Sequence, residues 1–358
     1  MILTQALRTL ARAELSVFGP ERFSANPSIL RFDDGRLCAV KGVNFDFERI
    51  RLSGDWQALD PRQRIDCRYK IVHLDAHLRQ IACFDLDSSD VSRACGRAVD
   101  VEDLRLFRRD GAVWACGAAV ARDDVFTGAR WIMGAPRTRM FVGELILDRL
   151  ENIHLLNSPT GAREEKNWMP AVRGARLDFI VDVAHRRHIS LETALAPEAA
   201  MNVDVASWRG WSGSSALVPL DQGFLGVIHR MTRRAPRAYE HMFAFFDTEL
   251  KLRRRSAPFS FEGAPAEFCC GLDISGDVVD ISYGVMDKRA IVAAFPKGEV
   301  LATLCYDAAE GDLVALDVAG APDSGEMEAH AHALARSRDA LLEELRAAAL
   351  RIATLERG

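Results

Sequence analysis

Short apolar runs, four to eight residues each, recur between turn signals along most of this chain, and that texture confines it to a β architecture. Runs rich in Val, Ile, Phe and Trp lie at 29–32, 37–43, 69–74, 81–86, 104–107, 113–120, 141–147 and 177–183. They continue at 215–219, 224–229, 242–246, 278–285 and 290–295. Asp33-Asp34-Gly35, Asp110-Gly111, Asp221-Gln222-Gly223 and Ser275-Gly276-Asp277 stand between them and turn one strand back on the next. The pattern holds from residue 26 to 318. A stretch of about 290 residues suits five four-stranded blades better than a single sandwich. No sequence repeat is visible, so the blade number rests on length and not on periodicity. The expected fold class is all-β, a five-bladed β-propeller over 21–318.

The flanks read differently. Within 2–16, Leu3, Ala6, Leu7, Leu10 and Ala11 fall at helical spacing, which predicts a helical cap over 1–20. Residues 319–325, Ala-Gly-Ala-Pro-Asp-Ser-Gly, read as a linker. Beyond it, Leu334, Leu341, Leu345, Ala348, Ile352 and Leu355 follow a coiled-coil spacing, so 326–358 is expected to be one amphipathic helix. Such a helix either folds back on the propeller, pairs with a second copy, or docks on another subunit.

An apolar fraction of 49% is enough for a packed core. The net charge of −5, with basic residues only in short clusters such as Arg253-Arg254-Arg255, gives no nucleic-acid surface. Eight cysteines without a Cys-x-x-Cys pair, several inside apolar runs, read as buried free thiols in a reducing compartment. Arg8 and Arg12 interrupt any signal-peptide core, and no segment reaches the ~20 apolar residues of a membrane span. A soluble, cytoplasmic protein is expected.

Three motifs carry polar groups at the ends of apolar runs. In Glu102-Asp103-Leu104-Arg105, adjacent carboxylates at a strand start point to opposite sides, so one of them faces a pocket. A desolvated carboxyl there can act as a general acid, with Arg105 beside it; a surface turn closed by an Asp–Arg pair is the other reading. Glu165-Lys166-Asn167-Trp168-Met169-Pro170 sets a Trp among ionic and amide groups, either a face for a sugar ring or a core Trp beside a charged loop. Trp211-Ser212-Gly213-Ser214-Ser215 allows close backbone approach to a ligand. It is followed by His229-Arg230 and Tyr239-Glu240-His241, a set suited to an anion or a sugar. Tyr283-Gly284-Val285-Met286-Asp287 ends a strand with an aromatic and a carboxylate. His185 and His188 lack further ligands for a metal, and there is no hydrolase elbow or dinucleotide fingerprint, so no cofactor is expected.

Together these residues resemble the five-bladed propellers of glycoside hydrolase family 130, the β-mannoside phosphorylases and hydrolases. The resemblance runs from Asn26-Pro27-Ser28-Ile29, through Glu102-Asp103-x-Arg105, the Lys166-Asn167-Trp168 motif, Gly213-Ser214-Ser215 and His229, to Tyr239, Phe245-Phe246-Asp247 and Tyr283-Gly284-x-x-Asp287. It implies that Asp103 is the proton donor and that Arg105, Lys166, Asn167, Trp168, Ser214 and Asp287 line a sugar site. It further implies that His229 and Tyr239 hold phosphate. The implied partners are a β-mannoside-like carbohydrate and inorganic phosphate, and the implied chemistry is inverting. Hydrolysis would need a second carboxylate, for which Glu165, Glu240 and Asp287 are candidates. Two positions depart from the family: Leu104 stands where it has Pro, and Arg230 where it has a small residue. The other class left open is a catalytically silent glycan-binding or scaffold module that works with glycosyltransferases.

Overall fold

A computed structural model describes residues 1–32, 35–49, 58–121, 138–159, 165–183, 187–196, 210–232 and 238–308. The chain divides into a unit Met1–Leu313 and a second unit Val314–Gly358. The linker at 319–325 and the helix expected over 326–358 lie outside the described residues, as does His185.

The first unit is built from five antiparallel sheets. A single helical turn, α1 (Leu3–Ala6), precedes strand β1 (Ala11–Glu14). Blade 1 is β2 (Phe23–Phe32), β3 (Gly35–Val43), β4 (Cys67–Leu74) and β5 (Gln80–Asp85). After helix α2 (Ser89–Cys95), blade 2 is β6 (Val99–Arg109), β7 (Ala112–Ala121), β8 (Thr138–Ile146) and β9 (Arg149–Leu155). Blade 3 is β10 (Met169–Arg173), β11 (Arg176–Asp182) and β12 (Arg187–Ser190), followed by α3 (Leu191–Leu195). Blade 4 opens with β13 (Ser212–Gly213) and β14 (Val218–Leu220), which both pair with β15 (Gly223–Thr232), and continues through β16 (Ala238–Asp247) and β17 (Leu252–Arg255). Blade 5 is β18 (Glu267–Ser275), β19 (Val278–Val285) and β20 (Arg289–Pro296). Helix α4 (Lys297–Ala302) and strand β21 (Tyr306–Asp307), on the outer edge of blade 4, complete the unit.

The N-terminal expectation is corrected here. Only Leu3–Ala6 is helical, and Ala11–Glu14 pairs with β20 as the fourth strand of blade 5. Its residues alternate between half-buried and exposed, the period of a sheet edge. An isolated short helix is marginal, whereas this segment gains a ladder that closes the ring. The propeller thus begins before residue 21.

Each seam between neighbouring blades has its own apolar core. Leu30, Ala39, Tyr69, Val101 and Leu106 fill the seam of blades 1 and 2. Phe107, Met140, Trp168 and Phe179 fill the next, and Met169, Trp211, Ile228 and Met242 the third. Phe243, Phe259, Phe261 and Tyr283 pack between blades 4 and 5, and Leu15, Ile29, Val40 and Val292 between blades 5 and 1. Each fully buried large apolar side chain in these seams stabilises by roughly 1.5–3 kcal/mol. All eight cysteines are free thiols, and Cys38, Cys116, Cys269 and Cys270 are buried. Among the described residues no helix is long and apolar enough to cross a membrane.

The inner strands are interrupted. β2 shifts register between Ala25 and Ser28, β6 between Glu102 and Arg105, and β18 between Cys269 and Gly271. In blade 4 the break lies between β13 and β14, where the Ser214 and Ser215 amides both donate to the Val227 carbonyl. A bulge kinks a strand and re-aims one side chain out of the alternating pattern.

Candidate active site

Asn26 in the β2 bulge, Asp103 in the β6 bulge and Asn167, just before β10, all have left-handed backbones, with φ of 37°, 50° and 65°. Asn and Asp tolerate that region better than other non-glycine residues. Three successive blades therefore place a short polar side chain on a left-handed residue at the inner edge, in a bulge in blades 1 and 2 and just ahead of the strand in blade 3.

Arg105 ties these edges together. It is 1% exposed. Its Nε donates to the Ser214 carbonyl at 2.6 Å, its Nη1 to the Asp103 carbonyl at 2.8 Å and its Nη2 to Asn167 Oδ1 at 3.2 Å. A buried guanidinium needs such partners, and here they come from blades 2, 3 and 4. Hydroxyls complete the ring. Ser28 Oγ accepts from the Leu106 amide at 2.8 Å, and Ser214 Oγ donates to the Cys269 carbonyl at 2.6 Å. Ser214 is fully buried, so its side chain joins blade 4 to blade 5.

Around Asp103 stand two lysines and two more carboxyls. Lys41 Nζ, from β3, lies 3.6 Å from Asp103 Oδ1, and Lys166 Nζ lies 3.2 Å from Glu102 Oε2. Asp103 Oδ1 is buried and has no hydrogen-bond donor. Burial works against the charge on Glu102, but Lys166 and Lys41 outweigh it and hold its carboxyl well below the usual range. Glu102 in turn, more than any other group, keeps the Lys166 ammonium above its ordinary value. Burial pushes the Asp287 carboxyl up; Lys41 opposes this, Asp103 and Glu102 add to it, and an Asn26 hydrogen bond opposes it again. A carboxyl pushed up beside one held down is the arrangement that separates proton-holding from ionised roles.

Two glycines allow these approaches. A Cβ on Gly284 would run into the Asn26 side chain and backbone, and one on Gly213 would meet the Asn167 carbonyl and Met169. The Tyr-Gly-x-x-Asp and Gly-Ser-Ser motifs thus include positions where only a bare Cα fits.

On blade 4, His229 is 6% exposed. It pairs across the ladder with His241, packs edge-on against Phe268 with ring centroids 4.8 Å apart, and stacks with Tyr239 at 6.1 Å. Burial, and then the Arg105 charge, push its imidazole down to about 3, against Asp103 and a hydrogen bond with the Gly213 backbone. It is neutral at physiological pH, and its Nδ1 is buried without a partner. Arg230 points to other work: it bonds Glu240 at 2.7 Å and covers the Trp211 ring at 5.0 Å.

Most of the residues singled out from sequence therefore meet in one cluster: Asp103, Arg105, Lys166, Asn167 and Asp287, with His229 within the electrostatic reach of Asp103 and Arg105 and Tyr239 stacked on it. Trp168 does not line it. That ring is fully buried in the seam of blades 2 and 3, its Nε1 donating to Glu165 Oε2 at 2.9 Å, so it offers no sugar-stacking face. Glu165 and Glu240 are likewise bonded to Trp168 and Arg230, which leaves Asp287 as the candidate second carboxyl within the cluster. Lys41 was not singled out. Its signal was a lysine inside the apolar run Leu37-Cys38-Ala39-Val40, a position that is costly unless a counter-charge faces it. Among the described residues no group of His, Cys, Asp and Glu could hold a metal ion.

Five blades around this cluster match a known architecture. A structure of the GH130 family of mannoside phosphorylases, in work on glycoside hydrolases that target β-1,2-mannosidic linkages in Candida mannan, superposes with a TM-score of 0.52 at 11% identity, covering 82% of this chain and 87% of the other. The chain shares the fold of that family. A GDP-mannose-dependent mannosyltransferase from Leishmania mexicana superposes at 0.51 with 11% identity, over 82% of this chain and 91% of its own. A putative glycosidase from Bacteroides thetaiotaomicron superposes at 0.51 with 12% identity, over 81% and 93%. No protein-family model and no curated protein matches the sequence.

Proposed function

We propose that this chain cleaves or transfers β-linked mannosyl, or closely similar glycosyl, residues with inversion, with Asp103 as the general acid. The observation that carries the reading is Asp103 Oδ1, a buried carboxylate oxygen without a hydrogen-bond donor, on a left-handed bulge amid the site's other ionisable groups. Buried acceptors of this kind are rare and call for a donor. A sugar hydroxyl supplies one, and through it the carboxyl can deliver a proton to the glycosidic oxygen. Lys166, Asn167 and Asp287 hold the sugar, and Arg105 fixes Asp103 and Asn167 relative to one another. The fold is one that mannoside-acting proteins use, which supports the choice of sugar.

The test is a panel of β-mannosides and related glycosides, with products quantified for the wild type and for Asp103→Asn. Asp103-dependent release or transfer of a sugar is the expected result. Full turnover by the Asn variant would remove Asp103 from the mechanism.

A further inference from the structure

An outermost strand ends its blade with a row of backbone N–H and C=O groups turned outward, and charged side chains ordinarily guard such an edge. Arg12 and Glu14 stand on β1, Arg149 and Glu151 on β9, Arg187 and His188 on β12, and Asp307 on β21. The outer strand of blade 1, β5, is different. Between Gln80 and Asp85 it reads Ile-Ala-Cys-Phe, with Ile81 68% exposed and Phe84 47%. Just past it, the Asp87 amide donates to the Asp148 carbonyl and the Leu150 amide to the Asp87 carbonyl, which ties the β8–β9 hairpin tip to the chain leaving β5. Ile146 and Leu147 on that tip are exposed as well. Four of the ten large apolar side chains exposed among the described residues therefore belong to these two joined segments. Single exposed apolar residues need no explanation, but a group of them along an open strand edge does.

The ladder fixes which backbone groups face outward. The Leu86 amide donates to the Tyr69 carbonyl, and Asp85 lies opposite Lys70. Hydrogen-bonded and non-hydrogen-bonded pairs alternate along an antiparallel ladder, so Leu86, Phe84 and Ala82 turn their backbone groups to β4 while Asp85 and Cys83 turn theirs outward. A bulge at Ile81, opposite the step from His73 to Leu74, ends the regular edge on the other side. A second β5, turned antiparallel about Phe84, fits this short edge. Cys83 then lies opposite the partner's Asp85, and Asp85 opposite the partner's Cys83, each pair exchanging both of its bonds. Phe84 meets the partner's Phe84 on the two-fold axis, in a non-hydrogen-bonded pair with Cα atoms about 4.5 Å apart, a favourable place for two aromatic rings. The neighbouring registers fit worse. An axis on Asp85 would oppose two carboxylates, and an axis on Cys83 would draw the bulge into the new ladder. About Phe84 the carboxylates stay apart, each with its own Lys70 at 2.7 Å.

We propose that this chain pairs with a second copy of itself through β5, in an isologous contact centred on Phe84 that joins the blade 1 sheets of the two copies into one. The aromatic pair and the apolar side chains of Ile81 and Cys83 supply its centre, and the backbone bonds of Cys83 and Asp85 set its register. Asn26 lies on β2, at the opposite edge of the same blade. Pairing therefore leaves the candidate site untouched, and the contact stands or falls independently of the glycosyl-transfer reading.

The test is sedimentation of the full-length protein from about 1 to 500 μM, a range that reaches the weak end of specific association. A reversible dimer is expected. Phe84→Lys sets two ammoniums face to face and should raise the dissociation constant by about a hundredfold or more, while the half-exposed position lets the chain fold. A wild type that stays monomeric over the whole range would overturn the proposal and leave the edge to a strand of another protein. A dimer that Phe84→Lys leaves intact would also overturn it, because another surface then holds the copies together. Phe84→Cys reads the register and decides the matter should the lysine variant fail to fold. At a concentration where this variant is dimeric, mild oxidation should link the two introduced thiols, as peptide mass spectrometry would show. A link between the two Cys83 thiols in their place, or no link at position 84, would rule out the Phe84-centred contact.

Discussion

Blades 2 and 4 interrupt their inner ladders in the same way, yet they present opposite chemistry. The break in β6 exposes Glu102 and Asp103, each facing a lysine from a neighbouring blade. The break between β13 and β14 presents no ion at all. Ser214 and Ser215 turn their hydroxyls to backbone carbonyls, and His229 stays neutral. The difference teaches that the bulge sets where a group points, while the flanking blades decide whether it can be charged. Blade 2 lies between Lys41 of blade 1 and Lys166 at the start of blade 3. Blade 4 lies between the Met169 side of blade 3 and the aromatic stack of Phe259, Phe261 and Tyr283.

The largest way to break this contrast is to neutralise its charged half. Asp103→Asn is expected to lower turnover by about a hundred- to ten-thousand-fold while leaving the melting temperature close to wild type, measured on the glycoside panel and by calorimetry. Arg105 joins the two halves. Arg105→Met strips three hydrogen bonds from carbonyls and Asn167, and is expected to destabilise by roughly 3–5 kcal/mol in urea titration. A loss under ~1 kcal/mol would mean that the edges of blades 2 and 4 hold their places independently. Gly213→Ala pushes a methyl into the Asn167 carbonyl and Met169, with an expected cost of about 1–3 kcal/mol in the same titration.

The smallest effect sharpens the neutral half. Burial holds His241 well below its ordinary value, with His229 adding to the shift, and both of its ring nitrogens lack partners. The unfolded chain therefore binds a proton more readily than the folded one. Stability from this pair is complete above about pH 6.5 and falls steadily as the pH is lowered, the His229 share levelling off only at about 3. Asp287, raised in the fold, has the opposite slope at lower pH, so the histidine slope is best read between about pH 5 and 6.5. His241→Phe should be neutral or stabilising by about 1 kcal/mol at pH 7 and should flatten that slope. A wild type equally stable at pH 5 and pH 7 would contradict a neutral, buried pair.

Much of the fold was legible because a strand with one buried face writes its period into the sequence. Val278–Val285 and Arg289–Pro296 were found nearly to the residue. β18 escaped because Cys269-Cys270-Gly271, with its bulge, breaks the alternation. The N-terminal segment misled because Leu3, Leu7 and Leu10 satisfy helical spacing, while the partner that makes Ala11–Glu14 a strand lies near the far end of the propeller. Site motifs were visible as ionic groups at run ends, but partnership was not. Nothing local to Trp168 says that its ring turns into a seam, and nothing local to Lys41 says that Asp103 waits across it.

The pairing of Ala11 with Ala294 has a consequence for how the protein is born. A chain emerging from a ribosome at about 5–20 residues per second exposes β1 roughly 15–60 s before its partner strand exists. Through that interval the first strand has no ladder, and Asn26 has no Asp287 to bond. Locking of the last blade and assembly of the carboxyl cluster are then one event in time, so a nascent or prematurely released chain that carries every site motif up to Tyr239 still lacks both Asp287 and the strand that pairs with β1.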